Sequence, residues 1–178
     1  MAEIRGNIIY LTGNLMGLYP EIQKKADDVL FNECGKHWHE LTIDDWIDTR
    51  MWDLFMNAYA KGSITGERAL LTLGRNIYPT IKKAGQIPAE IDNPVKMLEF
   101  EGEGFKIYHR GADVSPRKFL RLKNGDVLVE APSPGYNCKV IEGVFIGIVE
   151  MFGIKNVKAV QTKCVKNNDT TCEYHITW

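Results

Sequence analysis

The hydrophobic pattern changes its period about halfway along the chain, near residue 104. Before that point, apolar residues recur at helical spacing. This spacing predicts helices over residues 20–33, 43–60, 66–83 and 94–98. Pro79 is expected to kink the third helix or end it early. After residue 104, apolar and polar residues alternate, as is typical of strands. Helices that precede a run of strands favour an α+β fold over a doubly wound α/β fold.

The second half of the chain predicts hairpins with one helix between them. Asn124-Gly125 separates two alternating segments and is a strong short hairpin signal. Asn137 is placed to cap a helix that ends at Gly153. The other strands are expected over residues 105–110, 157–163 and 173–178. The predicted fold is therefore α+β, with N-terminal helices followed by an antiparallel sheet that has a helix between two hairpins.

Charge and length restrict the location and the partners of the protein. The 178 residues include 22 Lys and Arg against 23 Asp and Glu, which gives a net charge of -1 and no broad basic surface for nucleic acid. Residues 8–18 lack the pattern of a signal peptide, and no apolar run reaches the ~18 residues of a membrane span. We expect a soluble, cytoplasmic, single domain over residues 1–178, mainly helical over 1–103 and mainly sheet over 104–178.

Three of the four cysteines converge in the predicted fold. The closing hairpin would place Cys164 opposite Cys172, with Cβ atoms roughly 4.5–5.5 Å apart. Cys138 falls in the first turn of the preceding helix, where the helix dipole favours a thiolate. Thiolates from two elements suit zinc, which prefers tetrahedral sites rich in sulfur. The alternative is a reduced cluster without metal, since free cysteine is among the most buried residue types.

The residues around these cysteines carry a resemblance to a known family. The motifs are Gly135-Tyr-Asn-Cys138, Glu142-Gly143, Gly147, Phe152-Gly153, Gln161-Thr-Lys-Cys164 and Cys172-Glu-Tyr-His-Ile-Thr-Trp178. Together they resemble the 4-vinyl-reductase domain family over roughly residues 105–178. The resemblance implies an α+β domain related to haem-nitric-oxide sensors and TRAPP subunits. It also implies a bacterial small-molecule sensor that often forms a homodimer.

The resemblance further implies a set of zinc ligands. In the phenol-sensing branch of the family, zinc is held by a cysteine at this helix start, a glutamate, and two cysteines of the last hairpin. The corresponding positions are Cys138, Gln161, Cys164 and Cys172. Gln161 departs from the family pattern, because a neutral amide oxygen is a weaker zinc ligand than a carboxylate. The fourth ligand is therefore open between Gln161, Asp169, a histidine, water or none.

The helix predicted over residues 43–60, with Thr42 as its N-cap, is apolar nearly all round. Such a helix is a buried core helix, a dimer contact or part of the wall of a ligand cavity. Its aromatic residues and one tyrosine from the second half are the candidate pocket residues. They are Trp46, Trp52, Phe55, Tyr59 and Tyr108.

Three histidines support an alternative in which the domain binds haem. His37 and His39 follow the first predicted helix near Cys34, and His109 lies in a predicted strand. Each could supply an axial imidazole, although the sequence has no haem-attachment motif. A helix end with solvated imidazoles is the simpler interpretation of His37 and His39.

A local group of basic residues surrounds the strand predicted after residue 118. It comprises Arg110, Arg117, Lys118 and Arg121. The simpler interpretation is a solvated sheet edge protected by charge. The alternative is a site for a carboxylate or phosphate, which the planar fork of arginine recognises well.

No motif points to catalysis, since the sequence lacks a nucleophile elbow, a phosphate-binding glycine loop and a dinucleotide fingerprint. An enzyme is the less favoured class. We expect a ligand-responsive sensing domain that binds an apolar or aromatic small molecule, contains a structural zinc ion and signals through a homodimer or a downstream protein. The alternative is a haem- or tetrapyrrole-binding protein, either a gas sensor or an accessory enzyme of a tetrapyrrole pathway.

Overall fold

The computed structural model describes residues 1–178 and contains six α-helices and seven strands. The helices are α1 (Gly6–Leu15), α2 (Pro20–Cys34), α3 (Thr49–Gly62), α4 (Arg68–Lys83), α5 (Pro94–Tyr108) and α6 (Cys138–Glu150). The strands are β1 (Glu3–Arg5), β2 (Trp46–Asp48), β3 (His109–Arg110), β4 (Lys118–Lys123), β5 (Asp126–Glu130), β6 (Lys158–Lys163) and β7 (Glu173–Thr177). None of the helices has the length and apolarity needed to cross a membrane. The α+β class is confirmed.

The main sheet has four antiparallel strands in the order β4-β5-β7-β6. The first hairpin turns at Asn124-Gly125, where Gly125 takes the positive φ of 83° that only glycine adopts freely. The second hairpin carries a register shift between Gln161 and Lys163. Helix α6 lies between the two hairpins in sequence, so the predicted order of hairpin, helix and hairpin is confirmed.

Helix α6 packs one face on the sheet and the opposite face on α4. Phe145 meets Tyr174 of β7 edge-on, with ring centroids 5.4 Å apart. On the other face, a Cβ atom at Gly143 would overlap the Leu71 carbonyl, and one at Gly147 would overlap the Arg75 carbonyl. The backbones of α4 and α6 are therefore in direct contact, which requires glycine at these positions.

The prediction that Pro79 ends its helix early is wrong, because α4 continues through Pro79 to Lys83. A proline removes the N–H that would bond to the carbonyl four residues earlier. That carbonyl belongs to Arg75, and it faces Gly147 across the contact between the helices. The Arg75 carbonyl, which loses its hydrogen bond within α4, is thus covered by α6.

The helix predicted over residues 43–60 starts too early. Residues Trp46–Asp48 form β2, which pairs with β1 at the N-terminus in a small sheet of order β2-β1-β3. Helix α3 begins at Thr49, and its N-cap is Asp48, whose carboxylate accepts from the Arg50 backbone N–H. Thr42 instead bonds to Asp45 within a local turn, so the predicted N-cap is wrong.

The strand predicted over residues 105–110 is wrong for most of its length. Helix α5 runs on to Tyr108, and only His109–Arg110 form a strand, which joins the small sheet beside β1. The buried residues Met97, Leu98, Glu101 and Phe105 keep helical spacing along α5. Glu101 is therefore buried on α5, and the buried His109 directly follows the helix.

Candidate functional site

A small buried cavity lies between α5 and α6 and contains His109. Its volume is about 60 Å³, and α1, α3 and α4 complete its mainly apolar wall. Tyr78, Tyr108, Tyr136 and Arg117 contribute polar groups. The cavity therefore joins the helical first half of the chain to the helix that packs on the sheet.

His109 is held so that one ring nitrogen faces a backbone carbonyl and the other faces a side chain. Its Nδ1 lies 3.0 Å from the Phe105 carbonyl oxygen, which can only accept, so we assign the proton to Nδ1. Its Nε2 lies 3.5 Å from the Tyr136 hydroxyl. Burial and the charge of Arg117 lower the pKa of His109 to about 3. The imidazole is therefore neutral near pH 7, with a lone pair on Nε2.

A buried ion pair lies beside His109. The side chains of Arg117 and Glu101 are only 1% and 4% exposed, and Nη2 of Arg117 donates to Oε1 of Glu101 over 3.0 Å. The guanidinium also lies 3.9 Å from the centre of the Phe105 ring. The solvated-edge interpretation is therefore wrong for Arg117, because Glu101 of α5 provides a buried carboxylate that the shorter predicted helix did not include.

Two further tyrosines of the cavity are held in the protonated form. Burial raises the pKa of both Tyr78 and Tyr136 well above the ordinary value. The ring of Tyr136 also packs edge-on against Trp52, with centroids 4.6 Å apart. The Tyr78 hydroxyl is thus a potential hydrogen-bond donor to a ligand, and the Tyr136 hydroxyl becomes one when a ligand takes its place at Nε2 of His109. Tyr136 was not among the predicted pocket residues, although it lies in the Gly135-Tyr-Asn-Cys motif that the sequence shows.

The five candidate pocket residues lie in four different surroundings. Trp52 and Tyr108 line the His109 cavity. Phe55 is completely buried in the core, and Tyr59 lines a second cavity on the helical half. Trp46 lies on β2, between the guanidinium groups of two surface arginines rather than in a cavity.

The other two haem-ligand candidates lie at the surface near the end of α2. His37 pairs with Asp27 over 2.8 Å, and its ring stacks between those of Phe31 and His39. Cys34 bonds to the Lys36 carbonyl and belongs to no cluster of potential metal ligands. This group is separate from the His109 cavity.

The three C-terminal cysteines form one cluster. Cys138 opens α6, while Cys164 directly follows β6 and Cys172 directly precedes β7. The Cys138 sulfur lies 3.9 Å from each of the other two sulfurs, and all three lie within 4.8 Å of one another. Sulfurs at about 2.3 Å from a tetrahedral zinc ion are about 3.8 Å apart, so the two distances from Cys138 match a zinc site.

The candidates for a fourth ligand are placed differently. The Gln161 amide lies next to the Cys138 sulfur, and its Nε2 is buried without a hydrogen-bond partner of normal geometry. Asp169 instead accepts from the Cys164 backbone N–H over 2.8 Å. His175 is bonded to Asp126, away from the cluster. Gln161 is therefore the candidate side chain nearest to the cluster, and only its amide oxygen could act as a metal ligand.

The thiols of the cluster have different acidities. Burial raises the pKa of Cys138, but the polar side chains that approach its sulfur, those of Gln161, Ser133, Tyr174 and Cys172, together outweigh burial and make the net shift downward. Burial and the neighbouring sulfurs raise the pKa of Cys172 to about 11. One thiol is thus activated next to another that stays protonated.

The solved structures similar to this chain include several H-NOX proteins. The Fe(II) unliganded H-NOX protein from K. algicida has a TM-score of 0.68 at 18% identity, over 98% of this chain and 96% of that one. A member used to probe haem distortion in the H-NOX family has a TM-score of 0.70 at 16% identity, over 98% and 95%. The IWP-051-bound H-NOX from Shewanella woodyi, in the Fe(II)CO state, has a TM-score of 0.60 at 19% identity, over 94% and 92%. The chain has the H-NOX fold.

These likenesses establish the fold alone. No protein-family model matches the sequence, and no curated protein matches it either. The expected relation to haem-nitric-oxide sensors is confirmed at the level of the fold. The fold is also compatible with the resemblance to 4-vinyl-reductase domains.

Proposed function

We propose that this chain is a sensing domain that binds haem, or a related planar tetrapyrrole, in the cavity around His109. The observation that carries the proposal is the buried, neutral imidazole in a mainly apolar cavity, whose Nε2 lone pair faces only the Tyr136 hydroxyl, 3.5 Å away. A metal ion at Nε2 would take the place of that hydroxyl. A histidine that donates from Nδ1 to a backbone carbonyl is the usual arrangement of a metal-ligating imidazole. The solved H-NOX proteins that share this fold include Fe(II) and Fe(II)CO forms, which favours haem over a colourless ligand as the proposed group.

The side chains around the cavity fit haem in chemical type. Nε2 of His109 would hold the iron, which supplies the site for a diatomic gas when haem is bound. Trp52 and Phe105 supply flat apolar surface, while the Tyr78 hydroxyl, and the Tyr136 hydroxyl once it leaves Nε2 of His109, supply hydrogen-bond donors for carboxylate groups.

The volume of the cavity predicts movement on binding. Sites for drug-sized ligands enclose roughly 300–1,000 Å³, whereas this cavity encloses about 60 Å³. A tetrapyrrole therefore requires the walls formed by α5 and α6 to separate. Such a displacement is a route by which a sensing domain passes a signal to a partner.

Reconstitution with hemin tests the proposal. We expect the wild-type protein to bind one equivalent and to show a Soret band whose position differs from that of free hemin. His109→Ala should weaken binding and shift the band, whereas His39→Ala, a matched change at the surface, should do neither. Circular dichroism checks that both variants are folded. An identical spectrum for wild type and His109→Ala would contradict the role of His109.

A colourless aromatic ligand in the same cavity is the alternative that the 4-vinyl-reductase resemblance favours. The apolar lining and the Trp52 and Tyr136 rings support it. Native mass spectrometry of protein purified from its own host distinguishes the two, since a retained colourless molecule together with failure to bind hemin would favour the alternative.

We also propose that Cys138, Cys164 and Cys172 bind a structural zinc ion, with Gln161 beside the fourth position. The sulfur spacing of 3.9 Å supports the proposal, because it is close to that of a tetrahedral thiolate site. The same residues are the ligands that the 4-vinyl-reductase resemblance implies. Zinc here would stabilise the junction of α6 with the last hairpin, because ligands in an unfolded chain are not preformed.

Metal analysis of protein purified without chelators tests the zinc site. We expect close to one equivalent in the wild type and in Cys34→Ser, which changes the one cysteine outside the cluster. Cys164→Ser should lower both the zinc content and the melting temperature. Gln161→Glu should bind zinc more tightly, because it adds a carboxylate. Less than about a tenth of an equivalent in the wild type would contradict the site.

The location and the partners predicted from the sequence belong to the same proposal. We expect a cytoplasmic homodimer that passes its signal to a downstream protein. Light scattering after size-exclusion chromatography measures the molar mass and so tests for a dimer. Repeating the measurement with hemin shows whether hemin changes the fraction of dimer.

A further inference from the structure

A second and larger cavity lies on the helical half of the molecule. Its volume is about 490 Å³, within the roughly 300–1,000 Å³ of small-molecule sites. The turn before α2, the end of α3 and one face of α4 form its walls, and none of its residues lines the His109 cavity. Leu18 and Ile64 are exposed at the rim, while Leu73 is buried at the α4 wall.

The walls carry polar groups but no charge. No Asp, Glu, Lys, Arg or His lines the cavity. Asn14 and Asn76 each donate from Nδ2 to a carbonyl of their own helix, which leaves their side-chain oxygens free as acceptors. Because burial of a charge without a partner is costly, these walls select uncharged molecules.

Tyr59 provides an unused hydrogen-bond donor within this cavity. The residue is only 5% exposed, and its ring belongs to the hydrophobic core. Its hydroxyl takes part in none of the side-chain hydrogen bonds of the structure and is not among the fully buried polar atoms, so it is free to donate into the cavity that Tyr59 lines. Burial and the nearby Tyr19 raise the pKa of Tyr59, so the hydroxyl keeps its proton.

We propose that this second cavity binds an uncharged amphipathic small molecule, with an apolar ring or chain against Leu73 and a hydroxyl or carbonyl that accepts from Tyr59. A ligand hydroxyl could donate in turn to the free oxygen of Asn14 or Asn76. The two cavities share no residue, so this site is present in the protein without haem.

Titration with three related probes tests the class of ligand. The probes are 1-naphthol, naphthalene and 1-naphthoate, which have one ring system and differ in their polar group. Ligand-observed NMR should show saturable binding of 1-naphthol with a dissociation constant below about 1 mM. Naphthalene should bind more weakly, and 1-naphthoate should not bind, because its charge finds no partner.

Substitutions separate the hydroxyl from the cavity itself. Tyr59→Phe should weaken 1-naphthol binding about 5- to 10-fold and leave naphthalene binding unchanged, because only one hydrogen bond is removed. Tyr10→Phe, the same change at an exposed position, should alter neither. Thr72→Trp fills the rim from an exposed position on α4 and should abolish binding of both neutral probes.

Two results would overturn the proposal. One is the absence of saturable 1-naphthol binding to the wild type. The other is an equal loss of 1-naphthol and naphthalene in Tyr59→Phe, which would indicate a structural effect. His109→Ala should leave 1-naphthol binding intact, so failure of this site and failure of the haem proposal are distinguishable.

Discussion

The buried pair of Glu101 and Arg117 gives the sharpest test of the energetics around the His109 cavity. Replacing Glu101 with Leu removes the carboxylate and leaves the Arg117 guanidinium, whose side chain is 1% exposed, without its counter-charge. Its remaining polar contacts are a hydrogen bond of 3.4 Å to the Pro132 carbonyl and the neighbouring Tyr136 hydroxyl. The single variant therefore contains a buried, nearly unpaired charge.

Breaking a buried pair on one side typically costs about 3–5 kcal/mol of unfolding free energy. In a chain of this length, each 1 kcal/mol lowers the melting temperature by about 2–4 °C, so the expected fall is about 6–20 °C. Removing both charges, in Glu101→Leu with Arg117→Met, should restore most of the stability, because apolar side chains of similar volume avoid the desolvation cost. The loss of the bond to Pro132 should leave a residual deficit of about 1 kcal/mol.

Urea unfolding of the wild type, the two single variants and the double variant measures the coupling between the charges. Glu150→Leu is the control, because it breaks the half-exposed ion pair with Arg75 and should cost less than about 1 kcal/mol. If Glu101→Leu lowers the free energy of unfolding no more than Glu150→Leu does, then the Arg117 guanidinium is not desolvated in the cavity wall.

Two further predictions concern His109 and the contact between α4 and α6. The unfolded pKa of His109 is about 6.5 and the folded value is about 3, so the unfolded chain binds the extra proton between these values. Stability should therefore fall as the pH drops below about 6.5, with a slope of up to about 1.4 kcal/mol per pH unit. His109→Gln should reduce this slope in urea unfolding between about pH 7 and about pH 4.5; an unchanged slope would show that His109 is not its source. Gly147→Ala, whose Cβ overlaps the Arg75 carbonyl, should cost about 1–3 kcal/mol. Gly17→Ala, with only one distant contact, is its control, and equal thermal unfolding of the two would contradict the close approach.

The sequence predicted those parts of the fold whose signals are local. Asn137 caps α6 through its own side chain, and Asn124-Gly125 turns the first hairpin within two residues. The convergence of the three cysteines follows from these elements, because Cys138 opens the helix and the other two flank the last hairpin. Neighbouring residues decide such features, so a single sequence is sufficient to find them.

The parts that were wrong depend on contacts between distant residues. Trp46–Asp48 form a strand because they pair with β1, which lies more than 40 residues earlier in the sequence. Arg117 looked like a surface charge, since its burial requires a carboxylate that lies 16 residues away on α5. Tyr59 was one of five aromatic residues predicted to line a single pocket, but only the positions of α2 and α4 show that it lines a separate cavity.

The direct backbone contact between α4 and α6 also limits how the domain can move. No side chains lie between the helices at Gly143 and Gly147 to change rotamer and absorb a shift. The two helices therefore cannot slide past each other in small steps. A molecule that pushes on either helix will move both as one rigid unit, and it will carry the cysteine at the start of α6 with them.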